Sequence, residues 1–521
     1  MNVADFLLER GKDRHVALVA GSQEYTYLEL KRAASSLAWE IVQAGAGPGD
    51  AVGLMASNSP FWVAAYLAIL KLGCVAMPFN LVSLPAEVRA AVEFTGCKVM
   101  CIQRRHVRRF AEALPDHVQL ILDDALNLAH QGWDLWGSQP DLGCEDQDAA
   151  LMLTSGTTSS PRVVRVTHKN IKANTTSIIA SLDLTGHERM LAALPFHYCF
   201  GTSLLHTHLR VGGSLVLCQS FVYPEVVLDL LSKHRCTGFA GVPSMYQTLI
   251  RNSSLPRREL PHLRKVQQAG GKLPPVLIQE LMEILSHAEV FIMYGQTEAT
   301  ARLSCLSPEL LHSKLGSVGY GIPGVELRVV DEAGNDVPPG VVGEIVARGA
   351  NISPGYLNNP QATAEKFVGG VLHTGDLAQV DADGFIYIVD RKSDFIKSYG
   401  HRVSSQQVEE QILRLHDVAA AAAIGVPDPV RGEAIVVYVV VRDRSPLGPD
   451  DILAHGKQNL PRHMWPSEVV ILDSLPMNAQ GKVVKSMLRE QARTGEEPRG
   501  PAPQPTLSTA GGRERNVPIM Y

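Results

Sequence analysis

Ala149-Ala150-Leu151-Met152-Leu153 runs straight into Thr154-Ser155-Gly156-Thr157-Thr158-Ser159-Ser160-Pro161-Arg162, and this stretch decides how the chain is read. The apolar run predicts a short buried strand. The segment behind it is small, hydroxylated and glycine-containing, with one fixed cation at Arg162. Such a loop lets backbone N–H groups and Ser/Thr hydroxyls wrap an oxyanion while Arg162 adds charge, which suits a polyphosphate. It is not the common phosphate loop, because the spacing of Gly, four residues and Gly-Lys-Ser/Thr is absent. On composition alone, a plain Ser/Thr/Gly turn is the competing reading.

On the N-terminal side the chain alternates helical and extended patterns. Helices are predicted over Tyr27 to Ala44, Ala64 to Leu72 and Pro85 to Thr95, and strands over Ala51 to Ala56, Val75 to Phe79 and Val99 to Gln103. The alternation continues beyond the loop. Helices Lys169 to Ser181, Gly201 to Leu209, Tyr223 to His234 and Pro275 to Ser286 interleave with strands Met190 to Leu194, Ser214 to Leu217, Gly238 to Val242, Lys265 to Ala269 and Glu289 to Met293. Strand–helix alternation predicts α/β sheets with helices on their faces. The texture changes after Glu298. Gly/Pro turns and alternating strands over 316–390 predict a small antiparallel β region. A compact α+β unit follows, with helices Ser405 to Leu415 and Asp450 to Asn459 and strands Val418 to Val426, Ala434 to Val441 and Glu468 to Leu472. Pro, Gly, Ser and charge dominate from Ala492, which predicts a disordered tail.

A chain of 521 residues is too long for one core and predicts two or more domains. Hydrophobic content of 45% and charged content of 19% are globular values. A net charge of −5 argues against nucleic acid or an anionic membrane as the main partner. The stretch Phe61 to Phe79 is broken by Lys71, Gly73 and Pro78, so it reads as a buried helix and strand and not as a membrane span. Met1 to Arg10 lacks the apolar core of a signal peptide. The eight scattered cysteines contain no CxxC pair. Cys97 and Cys101 with His106 are the one hint of a metal site, against the blander reading of reduced, buried thiols in the cytoplasm.

Five further constellations carry chemistry. Tyr294-Gly295-Gln296-Thr297-Glu298 ends a strand, where α/β ligands bind, and Glu298 can offer Mg²⁺ a carboxylate. Gln268-Ala269-Gly270-Gly271 lets a flat ring approach the backbone, or is only a tight turn. His373-Thr374-Gly375-Asp376 presents an Asp suited to a ribose diol. Asp390-Arg391-Lys392-Ser393-Asp394 lies at the predicted domain boundary as either a solvated linker or a hinge cation. Gln480-Gly481-Lys482 puts a lysine on a glycine-flexed loop, able to reach a developing phosphate charge. Taken singly, each is an ordinary surface or turn residue.

Their order is specific. The loop 154–162 with Thr167-His168 comes first, then Pro195-Phe196-His197…Gly201 and Tyr294 to Glu298. Gly343-Glu344-Ile345…Arg348-Gly349, Thr374-Gly375-Asp376, Asp390-Arg391…Ile396-Lys397…Gly400 and Gly481-Lys482 follow. Over roughly residues 10–490 this series resembles the ANL superfamily of adenylate-forming enzymes, which includes acyl-CoA synthetases, adenylation domains and luciferases. The resemblance implies a large N-terminal domain over 1–390, a hinge at 391–394, a small mobile C-terminal domain over 395–491 and a tail over 492–521. It implies two half-reactions, in which ATP and a small carboxylic acid give an acyl-adenylate and pyrophosphate, and a thiol then displaces AMP.

The same resemblance implies residue roles. Ser155, Thr157 and Thr158 would cradle the β- and γ-phosphates, with Thr154, Gly156 and Arg162 completing that loop. Glu298, with Thr157, would hold Mg²⁺. Asp376 and Arg391 would take the ribose, while Gly270, Gly271 and Tyr294 border the adenine beside Gly295 and Thr297. Lys482 would bridge the substrate carboxylate and the α-phosphate. Domain rotation would then bring the segment of Lys397 and Gly400 to the thiol tunnel. His197 follows Phe196 where amino-acid-activating relatives carry an Asp, so α-amino acids are disfavoured and His197 joins the catalytic set; a packed core histidine is its alternative reading.

The chain also departs from the family pattern. Thr158-Ser159-Ser160-Pro161-Arg162-Val163 stands where Thr-Gly-x-Pro-Lys-Gly is usual, and Ser393 where the hinge has Asp or Lys. Arg162 keeps the charge in another geometry. The leading expectation is a cytoplasmic acyl-CoA ligase using ATP, Mg²⁺ and CoA, with fatty acids among the candidate acids. The alternative is a stand-alone ligase loading the phosphopantetheine of an acyl or peptidyl carrier protein. A non-catalytic nucleotide-binding homologue is the third reading.

Overall fold

The computed structural model describes residues 2–129, 135–138, 145–154, 162–392, 394–442, 445–477 and 483–494. Among these, the strands form four sheets. In spatial order the first takes Gln119–Leu122, Val99–Ile102, Ala51–Met55, Val75–Pro78, Asp148–Thr154 and Arg162–Thr167. All its pairings are parallel except the last, which is antiparallel. Residues 155–161, which join these last two strands in sequence, lie outside the described residues. The expected buried strand before the loop is present, and its partner on the other side runs back along it.

The second sheet has nine strands and a parallel centre. Arg189–Ala192, Gly238–Gly241, Lys265–Gln268 and Glu289–Tyr294 lie side by side there in register. Val16–Ala20 joins this sheet beside Ser214–Leu217, a pairing that no local pattern announces. One apolar cluster contains Val52 and Leu54 of the first sheet together with Leu191 and Val216 of the second. Between them runs helix Pro60–Lys71, buried from Phe61 to Lys71. A helix apolar on every face has to be internal. It starts four residues earlier than its hydrophobic run suggested, because Ser59 accepts the Trp62 N–H and Pro60 takes the first helical position. Lys71 at its end is neutralised by Asp5 of helix Val3–Leu8, at 2.8 Å.

The third sheet is antiparallel throughout, as 316–390 predicted. Val325–Val330, Gly343–Gly349, Val371–Val380 and Ile386–Arg391 pair in succession. The fourth sheet belongs to the small unit, where Val418–Asp428 and Gly432–Val441 form a long hairpin backed by helices Ser405–Ile412 and Pro449–Asn459. Helix Ser405–Ile412 is three residues shorter than expected. Helix Lys485–Thr494 runs three residues beyond the expected start of the tail at 492, because Leu488 and Ala492 pack on the back of the same hairpin. Residues 495–521, the rest of the expected tail, lie outside the described residues. Cys97 and Cys101 are buried packing residues, and burial pushes the Cys97 thiol up to about 11. No helix among the described residues is long and apolar enough to cross a membrane.

Several histidines sit inside the large domain, His168 among them at 3% exposed. His206 stacks on Tyr66 and shares a hydrogen bond with its hydroxyl at 2.9 Å, and His208 is 1% exposed. Burial lowers the His197 pKa to about 4 and the His206 pKa to about 3, and lowers that of His208 as well. The unfolded chain takes up these protons near pH 6.5, while the native protein does not. Stability is therefore whole above pH 6.5 and falls as the pH drops toward 4. The expected loss at pH 5 is about 2 kcal/mol for His206. Thermal midpoints measured from pH 7 to 5 check this. The slope should flatten in His206→Phe, and an unchanged slope would remove this histidine from the explanation.

Candidate active site

Three of the expected motifs lie where the parallel strands of the second sheet end. Gly270 and Gly271 follow Lys265–Gln268, Gly295 to Glu298 follow Glu289–Tyr294, and Pro195 to His197 follow Arg189–Ala192. This C-terminal edge is where an α/β sheet leaves room for a ligand. Gly295 has to be glycine, since a Cβ there would lie 1.9 Å from the Ala301 carbonyl oxygen. Gly270 has φ +89°, and a Cβ on it would press on Val242 and reach the Tyr198 hydroxyl at 3.6 Å. The glycine pair therefore leaves a thin wall beside Tyr198.

Asp376 and Arg391 face each other as cross-strand partners in the third sheet. The Asp376 carboxylate accepts the Tyr294 hydroxyl at 2.6 Å and stands 3.4 Å from Arg391 Nε. That bond joins the third sheet to the last parallel strand of the second. Burial and the adjacent carboxylate both raise the Tyr294 pKa, so the phenol stays a donor. Lys366, at the end of helix Pro360–Lys366, donates to the Thr374 carbonyl at 2.7 Å. Burial lowers its pKa against the pull of Glu298, Asp376 and Glu344, so this cation stands among three carboxylates. Glu344 holds the turn by accepting the Gly375 N–H at 3.0 Å.

Glu298 accepts the Tyr356 hydroxyl at 2.8 Å through Oε1. Tyr356 reaches it because 355–357 runs along the strand that follows the hydroxyl-rich loop. Arg165 N donates to the Gly355 carbonyl, and Leu357 N to that of Val163. Thr154 and Arg162 are opposite each other at the mouth of that hairpin, with the Thr154 hydroxyl on the Arg162 carbonyl at 3.1 Å. The Arg162 side chain is exposed, and its charge is felt at Tyr356. The base of the loop thus stands near Glu298, through Tyr356. Ser155, Gly156, Thr157 and Thr158 themselves lie outside the described residues. The donor set fits Mg²⁺ only in part, since one carboxylate suits an ion that arrives with phosphate oxygens.

His197 follows Phe196, whose N–H is held by Asn58 Oδ1 at 3.0 Å and whose ring packs on Trp62 at 5.1 Å. Its Nε2 is buried without a hydrogen-bond partner among the described residues. Thr297 offers its hydroxyl to Cys199 Sγ at 3.6 Å, which brings the Glu298 turn against the start of helix Cys199–Val211. A cavity beneath is lined by Tyr66, Cys199, Thr202, Ser203, His206, Thr300 and Ala301 among others.

In the small unit, Tyr399 and Gly400 both take positive φ, turning Ile396–Ser398 back into His401–Val403. Lys397 is exposed, and Tyr399 is tied to Arg431 by its N–H and its hydroxyl. Neither Lys397 nor Gly400 is joined to the Asp376 cluster by a hydrogen bond or ion pair of the described residues. Lys482 and Ser393 lie outside the described residues. Met477 and Val483 form an antiparallel bridge that closes the chain on either side of 478–482. Sequence reasoning missed Tyr356, Lys366 and Tyr198. Each is a single residue in a segment of ordinary composition, and only the packing brings it to the site.

Residues 8–357 match the family described as AMP-binding enzyme, and residues 407–482 match the AMP-binding enzyme C-terminal domain. A feruloyl-CoA synthase of Amycolatopsis is 31% identical over 90% of this chain and 94% of its own length. An oxalate–CoA ligase of Arabidopsis thaliana is 31% identical over 92% and 95%. The crystal structure of ATP-bound MatB from Rhodopseudomonas palustris superposes with a TM-score of 0.86 at 27% identity, covering 95% of this chain and 99% of that one.

Proposed function

The chain belongs to the AMP-binding enzyme family, and on that premise we propose how its own residues divide the work. It is an AMP-forming acid–CoA ligase. ATP activates a carboxylic acid as the acyl-adenylate with release of pyrophosphate, and the CoA thiol then takes the acyl group as AMP leaves. Adenylation replaces a poor leaving group with a good one. The observation that supports the assignment of roles is the convergence of Asp376, Arg391, Tyr294, Glu298, Tyr356 and Lys366 at the strand ends.

Asp376 has one oxygen on Tyr294 and the other facing Arg391, which orients the carboxylate to accept the two hydroxyls of a ribose. Tyr294 and the Gly270–Gly271 wall border the base. Ser155, Thr157 and Thr158 take the β- and γ-phosphates beside Arg162. Glu298, with one oxygen on the Tyr356 hydroxyl, would offer its other oxygen to a Mg²⁺, which would supply positive charge against those phosphates. Lys366 adds a fixed cation that the sequence did not disclose. Lys482 stabilises charge developing between the carboxylate and the α-phosphate. Withdrawal of Lys482 by rotation of the small domain would then admit the thiol along the segment of Lys397 and Gly400.

Acid-dependent pyrophosphate release from ATP, over fatty, aryl and dicarboxylic acids with and without CoA, tests this reading. Multiple turnover only with CoA is expected. One turnover that CoA does not relieve would move the acceptor to a carrier-protein phosphopantetheine. Absence of release with every acid would sink the catalytic reading.

A further inference from the structure

Arg302 is the most unusual side chain in the large domain. It is 2% exposed, and its Nε and Nη2 have no hydrogen-bond partner among the described residues. The guanidinium lies over the Phe200 ring, 4.6 Å from its centroid. The ionisable groups that feel its charge are Cys305, Cys199 and Tyr198. Burial raises the pKa of both Cys305 and Tyr198, so neither supplies an anion. A buried guanidinium facing thiols and a phenol is costly, and proteins retain such a charge only with a counter-ion.

The backbone is built to place it. Thr300 has φ +67° and ψ −57°, and Ala301 N–H bonds back to the Ala299 carbonyl at 2.7 Å. That is a strained γ-turn on a β-branched residue. Strain of this kind persists only where the surroundings over-determine it. Here Asn351 and Asn174 do so. The Asn351 carbonyl accepts the Thr300 hydroxyl at 2.7 Å, and the Asn174 amide brackets the Arg302 peptide at 3.1 and 2.8 Å. The turn leaves Glu298 at one end and delivers Arg302 at the other. Thr300, Ala301 and Cys199 line the cavity under the site, and Tyr198 touches the Gly270 wall. Arg302 thus directly follows the lining of that cavity, through Ala301. Its two unpartnered atoms, Nε and Nη2, are the side-on pair with which arginine grips a carboxylate through two parallel bonds.

We propose that Arg302 is the counter-ion for a second carboxylate on the acid, so that the preferred substrates are dicarboxylic acids whose far carboxylate seats on the Nε/Nη2 fork. This rests on the acid–thiol ligase reading above.

Matched pairs of acids decide it: succinate against butyrate, glutarate against valerate, phthalate against benzoate. In at least one pair the diacid should exceed its partner in kcat/KM, by roughly 10- to 100-fold, as expected for a charge-assisted pair inside a protein. Arg302→Met should abolish that preference while monoacid turnover persists or rises, and Arg302→Lys should fall between. The Met variant should melt no lower than the parent, because it removes an uncompensated buried charge. A monoacid preference in every pair, or an equal loss on both members of each pair in Arg302→Met, would overturn the proposal. Failure of the ligase reading looks different: no acid releases pyrophosphate. Calorimetry with the same acids then decides the role of Arg302. Diacid binding weakened at least tenfold by Arg302→Met would sustain it, and no diacid binding would end it.

Discussion

Lys482→Ala should lower acyl-adenylate formation by roughly a hundred- to a thousandfold while leaving the transfer of preformed acyl-adenylate to CoA within a fewfold of the parent. The magnitude is that of removing one preorganised donor from a site where charge develops in the transition state. The asymmetry follows from geometry. In the proposed reading the lysine belongs to the small unit, where Met477 and Val483 bridge on either side of 478–482, and it is present at the nucleotide for the first step alone. Asp376, Arg391 and Glu298 are instead held by bonds of the large domain's sheets, and the proposed reading keeps them at the nucleotide in both steps. Quenched-flow measurement of each half-reaction separates the two. Equal losses in both would show that Lys482 serves the fold or both steps alike, and would remove it from the adenylation role.

Much of this site was legible because its residues follow strands. Strand ends are marked by a change from apolar runs to glycine and hydroxyl residues, as at Gln268-Ala269-Gly270-Gly271 and Tyr294-Gly295. Asp376 and Arg391 were found as separate motifs. Their pairing is a matter of register across a hairpin, which fourteen intervening residues do not disclose. Lys366 sits in a helix and Tyr356 in a short extended segment bridged to Val164, both of ordinary composition, and tertiary packing alone makes them part of the site. Arg302 shows the limit most plainly. In sequence it lies between Ala301 and Leu303, and nothing local says that Thr300 will adopt φ +67° and turn the cation inward. The fold was legible for the same reason as the strand ends: alternating patterns mark parallel sheets. The exceptions were long-range, such as Val16–Ala20 entering the second sheet beside Ser214–Leu217.

In the small unit, Glu409→Leu should be the most damaging single change to stability. Lys485 Nζ sits 2.7 Å from Glu409 Oε1 and donates to Ser405 Oγ at 2.6 Å, with the two charged side chains 14% and 17% exposed. Burial works against the charged lysine, but the carboxylates of Glu409 and Asp390 outweigh it and hold the ammonium above its ordinary range. Asp390 in turn accepts the N–H and hydroxyl of Ser405, each at 2.7 Å, joining the end of strand Ile386–Arg391 to the start of helix Ser405–Ile412. Removing Glu409 leaves a buried cation short of its partner and frees the Ala423 N–H that it accepts at 2.9 Å. The expected cost is about 3–5 kcal/mol, the usual penalty for breaking a buried pair from one side. Glu409→Leu with Lys485→Met removes both charges and should recover most of that loss, since matched apolar replacement of a buried pair is often near neutral. Hydrogen exchange of helix Lys485–Thr494 and strand Val418–Asp428 reads both variants without assuming that the whole chain unfolds in one step. Adenylation should follow the same order, low in the single variant and restored in the double, because Lys485 anchors the chain three residues after Lys482. Equal destabilisation in the two variants would mean that packing at these positions, and not the ion pair, holds the small unit to its hinge.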